Sequence, residues 1–96
     1  MDPSLTQMID TLRTAREALR SEMAVWVVGS PPDEARLEHL LEMARSFREQ
    51  AHSVLVMTVY QDTPEALRQE IDGLIAGFSD IVEQVDTMLA RSRWQR

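Results

Sequence analysis

The 96-residue sequence has no cysteine and no lysine, only three glycines and four prolines, and 5% aromatic residues. Without cysteine there are no disulfides, no thiolate metal ligands and no cysteine nucleophile, and the redox compartment leaves no trace in the chain. The absence of lysine makes arginine the carrier of nearly all positive charge and implies no mechanism. Few glycines and prolines mean few turns, which suits a helical protein. No apolar run approaches the ~20 residues that span a bilayer, so no membrane segment is expected. The opening residues MDPSLTQMID are acidic and lack a basic stretch leading into an apolar one, so no secretory signal is expected and the cytoplasm is the expected location.

What is present bounds the class. A hydrophobic share of 44% with 27% charged residues is too apolar for a disordered chain. The length fits one domain over residues 1–96. Net charge is -6, and three of the ten arginines fall in the closing RSRWQR. Residues 1–90 therefore hold seven arginines against sixteen acids, a net charge of -9. A body of that sign repels phosphate, so nucleic acid is not an expected partner.

The clearest periodic stretch is 63–92. Its large apolar residues fall at Leu67, Ile71, Leu74, Phe78, Ile81, Val85 and Met88, alternating steps of four and three, with Ile75, Val82 and Leu89 widening the stripe. That is a long amphipathic helix with a broad buried face. Two more helices precede it. The first carries its stripe at Leu5, Met8, Ile9, Leu12, Ala15, Leu19, Met23 and Trp26, and the second at Leu37, Leu40, Leu41, Ala44, Phe47, Ala51, Val54, Leu55 and Thr58.

The prolines mark the starts. Asp2-Pro3, Ser30-Pro31-Pro32 and Thr63-Pro64 each set a capping side chain before a proline, which the first turn tolerates because no N–H is needed there. Asp62 or Thr63 is expected to cap the third helix. Gly29 with the following prolines ends the first. The expected fold class is all-α: three long antiparallel helices, about 3–28, 32–61 and 64–92, in an up-down-up bundle that dimerises. Short loops between helices this long force neighbours to run antiparallel. The β-branched runs 24–29 (AVWVVG) and 53–60 (SVLVMTVY) also fit buried strands, but the helical spacing passes through the second without a break, and two strands alone make a marginal sheet.

Candidate chemistry is thin. Glu49 and His52 have the Glu-x-x-His spacing of di-iron carboxylate bundles, yet the helical projection turns both toward water and no second pair exists; Glu22 is the one acid near a core-facing position of the first helix. The segment 51–55 (AHSVL) resembles the helical site of histidine phosphotransfer domains, which implies an exposed phosphorylatable His52. The chain departs from that family at Leu55 and Val56, where the family has a basic residue and then a glycine, and in having three long helices for its four. His39 sits among Glu38, Glu42 and Arg36 on a polar face. No cofactor or metal is expected, and an enzyme is not expected, since a bundle filled by Leu, Ile, Val and Phe leaves little room for a substrate.

The informative excess is apolar residues off the stripes. Val56, Met57 and Tyr60 leave the stripe at the end of the second helix, Val25 and Val28 at the end of the first, and Trp94 stands opposite the third stripe among arginines. Clusters at helical spacing mark interfaces. Gly73 and Gly77 interrupt the third helix and suit either a close helix approach or tolerated surface positions, and with the off-stripe apolar residues and Trp94 they are the expected partner or dimer interface. The expectation is a non-enzymatic binding module, an adaptor, regulator, inhibitor or export-chaperone-like protein acting through helical faces on a foreign protein partner and as a homodimer. A self-assembling structural protein is the alternative, and a small metal or phosphotransfer protein using His52 comes third.

Overall fold

The computed structural model describes residues 3–28 and 33–94, the side chains of 3, 27 and 28 excepted. Among the described residues there are three α-helices and no strand: α1 Pro3–Val28, α2 Glu34–Val59 and α3 Glu65–Trp94. The runs read alternatively as strands are helical at 24–28 and at 53–59. Side-chain packing on a stripe of period 3.6 outweighs the modest β preference of Val and Thr. The chain measures 52 × 21 × 17 Å, an elongated rod.

The helix starts differ in detail from the proline reading. Asp33 caps α2, its carboxylate accepting from the Arg36 backbone N–H at 2.8 Å, while the expected cap Ser30 and the 29–32 segment lie outside the described residues, as does Asp2. At α3 the Pro64 carbonyl accepts the first helical bonds, from the Leu67 and Arg68 N–H groups at 3.1 and 3.3 Å. The Thr63 hydroxyl donates back to the Gln61 carbonyl at 3.4 Å and is spent on the turn, not on the cap. Arg91 and Arg93 in the last turn of α3 complement the negative end of its dipole.

All three stripes meet in one core. Leu5, Ile9 and Leu12 from α1, Leu37 and Leu40 from α2, and Ile71, Leu74, Phe78 and Val85 from α3 are nearly inaccessible to water. Burying each such side chain contributes about 1.5–3 kcal/mol, which makes this cluster the main favourable term in folding. The backbones of α2 and α3 run closest, and α1 stands further from both. Ala44 and Ala51, both fully buried, present the small side chains that shorten interhelical distance on α2. Thr58, buried at the end of the α2 stripe, satisfies its hydroxyl on the Leu55 carbonyl at 2.6 Å.

Ion pairs tie the helix ends. Arg36 near the start of α2 holds Glu22 near the end of α1 with two guanidinium nitrogens, and this hydrogen bond keeps the Arg36 guanidinium above its ordinary pKa. Arg93 at the end of α3 spans Glu34 and Glu38 at the start of α2, at 2.9 Å each. Arg13 on α1 pairs with Glu70 on α3. Such exposed pairs set relative position more than they add stability.

Candidate partner-binding groove

The stripe of α1 is not wholly buried. Met8 lies on the apolar side of the helix with Leu5, Ile9 and Leu12, yet it is 40% exposed where those three are shielded. The reason is the spacing of the helices: with α1 set off from its neighbours, the edge of its stripe faces an open groove. This groove, of about 530 Å³, runs between the N-terminal half of α1 and the C-terminal half of α2. Met8, Leu12, Val54 and Met57 form its apolar walls, and Gln7, Thr11, Gln50 and Ser53 its rim. Among the described residues no charged side chain lines it.

The off-stripe residues of α2 extend this surface. Met57 is half-buried in the groove wall. Ser53, Val56 and Tyr60 follow at i, i+3 and i+7, so they are neighbours on one outward face that leads from the rim to solvent. Val56 is 57% and Tyr60 85% exposed. Val59, which the sequence reading did not single out, is exposed beside them. Its signal was available: it belongs to the same β-branched run and sits three residues after Val56.

The other candidate residues are dispersed. Val25 is exposed near the far end of α1, and the side chain of Val28 lies outside the described residues. Trp94 is 89% exposed at the end of α3, with Gln95 and Arg96 of the basic tip outside the described residues. The two glycines differ. Gly77 is buried within the chain, and a Cβ there would stand 2.8 Å from Cδ of Arg16, so the arginine of α1 lies directly across it. Gly73 is exposed with open space around it. The Gly77 approach is therefore between α1 and α3 of one molecule.

A second groove, between the start of α2 and the end of α3, is polar and mixed in sign, with Glu38, His39, Glu42, Arg45, Asp86 and Arg93 around it. His52 and Glu49 are exposed on α2. Among the described residues no three of His, Asp and Glu converge as metal ligands would. No described helix is long and apolar enough to cross a membrane.

One further asymmetry lies on α1. Its charged residues all take part in ion pairs: Asp10 with Arg13, Arg13 with Glu70, Glu17 with Arg16 and Arg20, and Glu22 with Arg36. Arg13, Arg16 and Arg20 are drawn to the α3 side, toward Glu70 and Gly77. The outward face at Gln7, Thr11, Thr14, Ala18, Ser21 and Val25 is left exposed and uncharged over five turns. The chain matches no known protein family, and no curated protein or solved structure matches it.

Proposed function

We propose that this protein is a non-enzymatic protein-binding module, cytoplasmic and without nucleic-acid or membrane partners, that holds a segment of a foreign protein in the groove between α1 and α2. The observation that carries this reading is the groove itself: apolar walls from Met8 and Met57, a neutral polar rim, and the exposed Val56 and Tyr60 continuing it outward. Amphipathic helices bind such grooves by inserting residues at i, i+3 or i+4 and i+7 into the apolar walls. An adaptor, regulator, inhibitor or export chaperone requires no more than this. The rim offers hydroxyls and amides that suit recognition of a peptide backbone.

The topology that goes with this reading is up-down-up, with α2 antiparallel to both neighbours. The Arg36–Glu22 and Arg93–Glu34 pairs support it, each linking the end of one helix to the start of another. So does Arg13–Glu70, which links early α1 to early α3. In that arrangement the third side of the bundle is the one a partner helix completes.

The test uses the full chain, tagged and purified from its native source, beside a Met57→Glu variant. The wild type co-purifies one protein in stoichiometric amount. The variant, with unchanged helical circular dichroism, loses it because a carboxylate in the groove wall stays uncompensated. Absence of a stoichiometric protein, or its equal retention by Met57→Glu, overturns the reading.

A further inference from the structure

The groove between α1 and α2 owes its accessible apolar surface to sulfur. Of the residues that form its apolar walls, Leu12 and Val54 are nearly inaccessible to water. What an incoming segment meets is Met8 from α1, exposed, and Met57 from α2, half-buried. Thioether side chains are flexible and fit many apolar surfaces, but peroxides also convert them from apolar to polar. The sequence has no cysteine to compete for an oxidant. Met23, Met43 and Met88 are half-buried and packed against the core, which leaves Met8 the most open of the described methionines.

We propose that Met8, together with Met57, is an oxidation site that switches the groove off: hydrogen peroxide converts the thioether to the sulfoxide, and the bound segment is released until the sulfur is reduced. This rests on the proposed function and names its regulation. In the forward step the S–O bond forms as the O–O bond of the peroxide breaks. The proton on the transferred oxygen passes to the leaving hydroxide, which departs as water; sulfur loses two electrons and the peroxide gains them. Return takes a dithiol, which becomes a disulfide as the sulfoxide oxygen leaves in a second water.

The sulfoxide oxygen is a strong acceptor set in a wall that a bound helix must dry. Closing the groove over it weakens binding about tenfold or more. With the groove empty the same oxygen stays hydrated, because Met8 is exposed, and the fold is unchanged. That separates a switch from damage. Oxidation of Met43 or Met88 sets a polar atom against the core instead.

The experiment treats the full chain with limiting hydrogen peroxide, quenches it with catalase and assigns the sulfoxides by mass spectrometry. Met8 oxidises first, several-fold faster than Met23, Met43 and Met88, with helical circular dichroism and Tm retained. A Met8 no faster than those three, or loss of helix as it oxidises, overturns the site. Capture is then read with the tagged chain and an extract of its native source, before peroxide, after it, and after the two epimer-specific methionine sulfoxide reductases. The apparent affinity of the wild type for its captured protein falls about tenfold or more on oxidation and returns on reduction. A Met8→Leu, Met57→Leu double variant is compared only with itself, and its ratio of capture after and before peroxide stays near one. A Met23→Leu, Met43→Leu, Met88→Leu triple variant keeps the wild-type loss, which fixes the effect to the groove even where the double variant holds nothing. Equal capture by oxidised and reduced wild type overturns the switch and leaves the groove reading standing, and a double variant as sensitive as the wild type does the same. A reduced wild type that captures no stoichiometric protein overturns both.

Discussion

The ring of Phe47 on α2 stacks on that of Phe78 on α3, with centroids 5.6 Å apart and 24° between the planes. Phe78 is inaccessible to water and Phe47 is half-buried. The pair therefore joins the two most closely packed helices at the point where the core passes toward the surface. Each ring fills space that the other bounds.

Phe78→Ala is expected to cost about 3–5 kcal/mol, since it removes a fully buried ring and leaves a cavity. A domain of this size holds about 5–15 kcal/mol in all, so the loss is a large share of its stability. Phe47→Ala costs distinctly less because water already reaches that ring. Urea denaturation of both variants, followed by circular dichroism, gives the order. Equal losses contradict the stacking geometry.

Gly73→Ala stabilises the protein by up to about 1 kcal/mol, through helix propensity alone, because nothing surrounds the site. That corresponds to roughly 4–8 °C in Tm for a small domain. Gly77→Ala has the same propensity gain set against a Cβ 2.8 Å from Arg16 Cδ, so its net effect is smaller or negative. Thermal melts compare the two directly, and a larger gain at Gly77 than at Gly73 contradicts the arginine's position across it.

Asp33→Ala removes the side-chain acceptor of the Arg36 N–H and costs about 1 kcal/mol. Ser30→Ala, by contrast, leaves the Tm nearly unchanged. The comparison decides between the cap seen at Asp33 and the one expected from the Ser30-Pro31-Pro32 sequence.

Met8→Gln shifts stability by less than about 0.5 kcal/mol, as at an exposed site, although Met8 belongs to the apolar stripe of α1. Leu12→Ala, four residues further along the same stripe, costs about 2–5 kcal/mol. A Met8 variant as damaging as the Leu12 variant means that the groove is closed in solution.

The helices were legible in the sequence because period-3.6 burial writes itself directly into residue order. The α1 range 3–28 is the range observed, and the α2 and α3 ranges move by two residues or fewer at each end. The candidate surface was legible in part. Val56, Met57 and Tyr60 stand off the stripe and are found at or beside the groove. Met8 was not legible as a groove residue, nor Gly77 as a contact inside the molecule, because both depend on where a neighbouring helix lies.

By itself the sequence determined how many helices form, where each runs and which arc of each is apolar, since those follow from local periodicity, capping and proline. The tertiary structure decided which part of each apolar arc is covered. Leu89 at the flank of the α3 stripe is 2% exposed, while Met8 within the α1 stripe is 40% exposed. Periodicity sets the direction of a side chain about its own helix axis. Whether that direction meets another helix or water depends on helix separation, which the side chains of all three helices set together.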